Sequence, residues 1–395
     1  MIKPTIALAF GGGHVAPWQA AALGAYNRAR EAGYEVIAFN GGFKGGNEGS
    51  YFVVSPEHLD RTRAGIPYGS SRAEVDPRKV ADNLVKIKRD GYDVKGVIGL
   101  CGDDHLKQTN RLQTEEGIPV MGWPKTMDND LSHTYFTLGY HTTAMNAARA
   151  VRQGINGAIT NGRIHIITMF GRDTDWVVAA AGGFGGASIT VGGELESNQT
   201  YVTKYRLDYI IDLANQEFKE NESRYGRPFA VVAVGESAAI EGLASHVDLG
   251  QVDDHGHPKI KPEKLALALG NAFKEAGIKD VSTDTLTYDT LRNCAPSQLD
   301  MELGEEAGAM CAEKLIEGES GQSVVTVRDP DSKRGVRLDT APLDKVFVQR
   351  FLRPEGFMDY DRLKVDPRFI DYYEPVLGKA TTIEDLIPKM ELRTV

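Results

Sequence analysis

Pro124-Lys125-Thr126-Met127-Asp128-Asn129-Asp130 follows the short apolar run Ile118-Pro119-Val120-Met121, and this pair decides how the chain is read. The apolar run has the length and composition of a buried strand. The polar stretch then sets a lysine, a threonine and two carboxylates around Asn129, where that strand ends. Open α/β sheets bind ligands outside the carboxyl ends of their strands. A lysine beside two carboxylates suits phosphoryl transfer, because the cation neutralises charge on the moving phosphate while one carboxylate takes the proton of an attacking hydroxyl. Taken alone, the same residues also fit a solvated polar turn, so the surroundings decide.

Upstream, residues 6–10 form a continuous apolar run, as expected for a strand covered on both faces. Gly11-Gly12-Gly13 and a helix over 19–32 follow. Glycines between strand and helix let backbone N–H groups approach an anion, although a simple tight turn fits equally well. A second strand is expected over 35–39, then a loop over 41–46. Asp76-Pro77 opens a helix whose Val80, Leu84 and Ile87 share one face. The strand over 94–100 ends in Cys101-Gly102-Asp103-Asp104-His105.

Downstream, helices are expected over 142–153, over 202–218 with Tyr209 and Leu213 facing inward, over 263–276 behind Pro262, and over 299–317. The strand over 164–169 ends in Phe170-Gly171-Arg172, and that over 229–234 in Gly235-Glu236-Ser237. Two short strands are expected after about Ser323. This alternation argues for an α/β protein with mostly parallel sheets. Neither GxxxxGK[ST] nor a GxGxxG after the first strand occurs, which disfavours P-loop and ordinary dinucleotide folds.

At 395 residues, two domains are the default. A net charge of −10 argues against general affinity for nucleic acid or anionic membrane, so any anion site is local. The three cysteines are dispersed and form no CxxC pair, which fits a reducing compartment and indicates neither a disulfide framework nor a zinc site. With no leader-like N-terminus and no apolar run of spanning length, a cytoplasmic protein is expected.

Together these motifs resemble the phosphofructokinase superfamily. Gly102-Asp103-Asp104 is similar to its GGD motif, Pro124 to Asp130 to PKTIDND, Phe170-Gly171-Arg172 to MGR, and Val234 to Ala238 to VSEGA. Gly69-Ser70-Ser71-Arg72 resembles a GTSR loop, Gly256-His257-Pro258 a GH turn, and Tyr288 to Pro296 the segment that supplies a sugar-phosphate arginine. The resemblance implies two Rossmann-like α/β domains facing across a cleft: residues 1–140 with 262–300 for the phosphoryl donor, and 141–261 with 301–395 for the sugar phosphate. It implies Asp128 as general base, Asp103 as Mg²⁺ anchor, and Lys125 and Arg172 flanking the transferred group. Gly12, Arg72, Asp104 and Lys125 fall on the donor side. Thr126, Asp128, Asp130, Phe170, Gly171, Arg172 and Glu236 line the sugar site, and Arg163 and Arg292 clamp its 6-phosphate. One such arginine comes from a neighbouring subunit in the family, so a homodimer or homotetramer with a shared site is expected.

Asp104 and Lys125 are the residue types of members that use pyrophosphate, where ATP users tend to have glycine. The expected reaction is therefore Mg²⁺-dependent, reversible transfer from pyrophosphate to the 1-hydroxyl of fructose 6-phosphate. The alternatives are an ATP-dependent enzyme, the same chemistry on another sugar phosphate such as sedoheptulose 7-phosphate, and a non-catalytic sugar-phosphate sensor. Departures from the family pattern are concentrated in Gly13-His14-Val15-Ala16-Pro17-Trp18-Gln19, where Trp18 stands near a missing glycine, with others at Cys101, His141, Phe170 and Asn293-Cys294. Read simply, Arg163 is also a surface residue, Glu236 a helix cap, Asp130 a brace for its turn, His105 and His141 packing or solvent-facing residues, and Cys101 a small strand-end hydrophobe.

Overall fold

The computed structural model describes residues 2–171, 174–193, 204–236, 238–243 and 262–387. In chain order the elements are β1 (Lys3–Gly11), α1 (Trp18–Glu31), β2 (Glu35–Phe39), α2 (Phe43–Glu48), β3 (Tyr51–Val53), α3 (Pro77–Arg89), β4 (Tyr92–Cys101), α4 (Asp103–Glu116), β5 (Val120–Pro124) and α5 (Tyr140–Asn161). Then come β6 (Ile164–Met169), α6 (Trp176–Gly185), β7 (Ile189–Val191), β8 (Lys204–Arg206), α7 (Leu207–Tyr225), β9 (Ala230–Gly235), β10 (Ala239–Glu241), α8 (Pro262–Glu275), β11 (Val281–Leu286), α9 (Tyr288–Leu291) and α10 (Gln298–Ile316). The chain closes with β12 (Gln322–Arg328), β13 (Val336–Pro342), α11 (Leu343–Val346), β14 (Met358–Asp359), β15 (Lys364–Val365), α12 (Pro367–Leu377) and α13 (Ile383–Leu386).

The chain folds into two compact units, residues 1–142 with 292–350 and residues 143–291 with 351–395. The first carries a seven-stranded sheet in the order β13-β12-β5-β4-β1-β2-β3. Its inner pairings are parallel; β3 on β2 and β13 on β12 are antiparallel. Ala7, Ile37, Phe39, Val97, Leu106 and Val120 lie in its core. The second carries the all-parallel sheet β11-β6-β9-β7. Ile164, Ile166, Val232, Leu265 and Phe273 lie in its core.

This partition corrects the domain division expected from the sequence. Residues 262–291 belong to the second unit because β11 pairs with β6 along its whole length, Val281 on Ile164 through Leu286 on Met169. Residues 301–350 belong to the first because β12 pairs in parallel with β5, Gln322 on Met121 and Ser323 on Gly122. The segment beyond Ser323 is therefore split. Its strands widen the first sheet, and α12 sets Phe369 and Tyr373 against Trp176 of the second unit.

Two local expectations also change. The glycine-rich stretch 41–46 is not all loop, since α2 begins at Phe43 behind Gly42, whose φ is +66°. A Cβ on Gly45 would stand 2.4 Å from the Asn40 oxygen, so the glycine there serves close packing. In α7 the buried stripe runs through Ile210 and Ala214, which leaves Tyr209 42% exposed. The α3 start is as expected: Pro77 is its first residue and the Asp76 carboxylate accepts a hydrogen bond from Lys79 N at 3.1 Å.

Helix α1 reaches the site through α10, and the two pack backbone to backbone. A Cβ on Gly24 would lie 1.9 Å from the Glu305 oxygen, and one on Gly308 2.0 Å from the Ala21 oxygen. Gly308→Ala is expected to destabilise the protein by about 3 kcal/mol, the upper end for overpacking. Urea denaturation checks this, and an unchanged midpoint would contradict the close packing.

Candidate active site

The order β5-β4-β1-β2 places a topological switch at β1, because the chain leaves β1 toward β2 on one side while β4 flanks it on the other. Register lines up three strand ends there: Gly11 pairs with Cys101, and Cys101 with Pro124. The glycine turn, Gly102-Asp103-Asp104 and Lys125 thus emerge side by side at the position where open α/β sheets hold ligands.

Backbone bonds continue the strands into the site. Lys125 N donates to Cys101 O at 2.9 Å, and Leu138 N to Pro124 O at 3.1 Å. Gly12 N donates to Ser71 O at 3.0 Å and Ser70 Oγ to Gly12 O at 2.7 Å, which docks the loop bearing the exposed Arg72 against the end of β1. The Lys125 side chain is only 5% exposed. A Cβ on Gly12, whose φ is +80°, would approach its Nζ to 3.2 Å, and one on Gly102 to 3.6 Å. The two glycines leave the ammonium its space, and Nζ lies 5.4 Å from the Trp18 ring centroid.

The charges form one cluster. Burial, aided by repulsion from Arg292, pushes Lys125 down to about 8, against the attraction of Asp103 and Asp128. Burial and the neighbouring carboxylates Asp104 and Asp128 hold Asp103 above the usual carboxylate range. Asp103 and Asp128 therefore share one electrostatic environment with Lys125. Asp103 and Asp104 occupy the first turn of α4, where the helix dipole favours negative charge. A half-buried hard-oxygen ligand crowded by like charge fits Mg²⁺, which binds through one or two carboxylates and keeps the rest of its shell for water and phosphate. Among the described residues no group of three or more His, Cys, Asp or Glu forms a dedicated cage.

The loop after Lys125 is tied at each step. Asp128 N donates to Thr126 Oγ1 at 3.0 Å, and Thr126 Oγ1 lies 3.4 Å from Asp128 Oδ2. Asn129 takes φ +57°, and its side-chain oxygen accepts from Thr137 N at 3.0 Å. Arg350 N donates to Asp130 O at 2.7 Å. Arg292 belongs to this unit, and its guanidinium stands 2.6 Å from where a Gly13 Cβ would be. It is thus placed beside the glycine turn.

In the second unit, Met169 pairs with Gly235, which sets Phe170, Gly171 and Glu236 at neighbouring strand ends. Glu236 is 7% exposed and its N donates to Met169 O at 2.9 Å. Phe170 stacks on Tyr288 with centroids 3.4 Å apart, and Gly171 holds φ +150°. Arg163 lies just before the opposite end of β6, about 20 Å from Phe170 at the rise of a strand. Arg172, Ser237 and the Gly256-His257-Pro258 turn lie outside the described residues.

Several residues outside the motif chemistry have structural roles; for His105 and Cys101 these are the packing and strand-end readings made from the sequence, while the His141–Ser297 contact and the part played by Asp300 are not legible there. His105 is buried, stacks on Phe43, and occupies the space that Gly11 leaves open. His141 Nδ1 lies 2.7 Å from Ser297 Oγ. Asp300, fully buried, accepts from Gly139 N, Thr142 N and Thr142 Oγ1 and so caps α5. Cys101 is fully buried, which pushes its thiol up to about 12 and leaves it inert at neutral pH.

A doubly wound sheet with a cation and crowded carboxylates at its switch point defines a protein built to handle phosphate. The phosphofructokinase family model matches residues 5–315, and the chain belongs to that family. It is 27% identical over 331 residues to a pyrophosphate–fructose 6-phosphate 1-phosphotransferase of Amycolatopsis methanolica, covering 82% of this chain and 91% of the relative. It is also 27% identical over 357 residues to an ATP-dependent 6-phosphofructokinase of Mycobacterium leprae, covering 88% and 96%. A pyrophosphate-dependent phosphofructokinase structure from Marinobacter aquaeolei has the same fold, with TM-score 0.75, 20% identity and coverage of 96% of this chain and 92% of that one. Overall identity thus does not choose between the two donors.

Proposed function

We propose that this protein transfers a phosphoryl group from pyrophosphate to the 1-hydroxyl of fructose 6-phosphate, giving fructose 1,6-bisphosphate and inorganic phosphate, in either direction and in the cytoplasm. The observation that carries the reading is the buried Lys125 ammonium at the Gly12 turn, with Asp103 and Asp128 in its field. A small donor of high charge needs a cation of this kind close at hand, and charge-assisted contacts are roughly twice as strong as neutral ones. The pyrophosphate-type pair Asp104 and Lys125 supports the donor assignment, with Gly12 and Arg72 completing that side.

Asp128 removes the proton from the sugar 1-hydroxyl as its oxygen attacks phosphorus. The bond from phosphorus to the bridging oxygen breaks, and inorganic phosphate leaves with that electron pair. Lys125 and Arg172 balance charge on the equatorial oxygens, and no phosphoenzyme forms. Mg²⁺ at Asp103 supplies charge neutralisation on the phosphates when bound. Thr126, Asp130, Phe170, Gly171 and Glu236 hold the sugar, with Arg163 and Arg292 on its 6-phosphate. Arg163's position at the far end of β6 supports its service in a partner's site within a homodimer or homotetramer.

The relatives named for ATP support one second reading, the same transfer with ATP as donor. Steady-state kinetics with each donor separates the two. A kcat/KM for pyrophosphate well above that for ATP is expected; turnover with ATP alone would reject the donor assignment. Replacing Asp104 and Lys125 together by glycine is expected to erode the preference for pyrophosphate.

A further inference from the structure

We propose that Trp18 is the positioning residue of the donor lysine, its indole face holding the Lys125 ammonium at the Gly12 turn until a phosphate arrives. The proposal rests on the donor reading of Lys125. A buried ammonium needs compensation for lost water. Among the described residues no hydrogen bond to Lys125 Nζ is found, and Gly12 and Gly102, its neighbours, carry no side chain to supply one. The ring centroid at 5.4 Å lies inside the range of a cation–π contact.

Trp18 is itself built for this task. It is fully buried and packs edge-on against Phe10 of β1, with centroids 5.5 Å apart. Its Nε1 has no hydrogen-bond partner among the described residues, so the polar edge of the indole is not what fixes it. The ring stands at the first residue of α1, whose place is set by backbone contact with α10 through Gly24 and Gly308. An aromatic face suits a waiting cation better than a carboxylate does, because it attracts the ammonium without competing with the incoming anion for hydrogen bonds. Once the donor is bound, its oxygens take over, so loss of the ring falls on donor binding and not on the chemical step.

The test compares Trp18→Leu with Trp18→Phe in the full chain, with KM and kcat measured for whichever of pyrophosphate and ATP supports wild-type turnover. Trp18→Leu is expected to raise the donor KM about tenfold, equal to about 1.4 kcal/mol, leaving kcat and the fructose 6-phosphate KM near wild type. Trp18→Phe, which keeps an aromatic face, is expected to recover much of that loss. Equal effects of leucine and phenylalanine, or donor and sugar KM values rising together, would overturn the proposal. A second arm needs no turnover: with the neighbouring Trp123 replaced by phenylalanine, Lys125→Met is expected to change tryptophan emission, but not when Trp18→Phe is added to that background. Persistence of the change on that background would refute the contact. Absence of turnover with both donors would reject the functional reading alone and leave this arm to decide.

Discussion

Asp128→Asn is expected to lower turnover by about three decades while the KM for fructose 6-phosphate stays near wild type, within the range for loss of a general base. The carboxamide has the carboxylate's shape but cannot accept the proton of the sugar hydroxyl. The Asp128 N–H on Thr126 Oγ1 and the Asn129 side-chain oxygen that accepts from Thr137 N do not use the Asp128 carboxylate, so these ties of the turn survive the change. A fall in kcat at constant sugar KM is the signature of an interaction made only in the transition state. Steady-state kinetics with both substrates varied measures it, and a near-normal rate would remove Asp128 as the base.

Lys125→Met is expected to cost about two to three decades in kcat/KM for the donor, comparable to removing a preorganised electrostatic stabiliser from a dry site. Methionine keeps the length and apolar stem, so packing against the Trp18 ring persists while the charge is gone. The same lysine sets a pH dependence. Burial pushes it down to about 8, so the free protein holds the ammonium charged below that pH and loses the proton as pH climbs through it. Donor KM is therefore expected to rise above pH 8 in the wild type and to show no such rise from this group in Lys125→Met. The pH profile of donor KM in the two proteins checks the assignment. A rise of equal size in both would place the titration elsewhere.

The parts of the site legible in the sequence were those carried by contiguous residues. Lys125 to Asp130 and Gly102 to Asp104 announce themselves because strand-end chemistry sits within a few positions, and the switch-point sheet then brings the two together. Gly12 was legible as a glycine but not as the residue that makes room for Lys125 Nζ. Arg292 is legible as a motif arginine but not as the neighbour of Gly13, since a motif gives order along the chain and not the contact across it. Trp18 is visible in the sequence only as an aromatic near a missing glycine. Its contact with Lys125 depends on how α1 packs on α10, which no local pattern encodes. The unit boundaries failed for the same reason, because β11 and β12 reveal their sheets only through long-range pairing.

The most direct test of the account is a ³¹P NMR time course of the protein with Mg²⁺, pyrophosphate and fructose 6-phosphate. The expected result is loss of the pyrophosphate resonance with matched growth of inorganic phosphate and of a second sugar phosphate at carbon 1. Pyrophosphate consumed without that new sugar resonance, or left intact while ATP in a parallel sample phosphorylates the sugar, would contradict it.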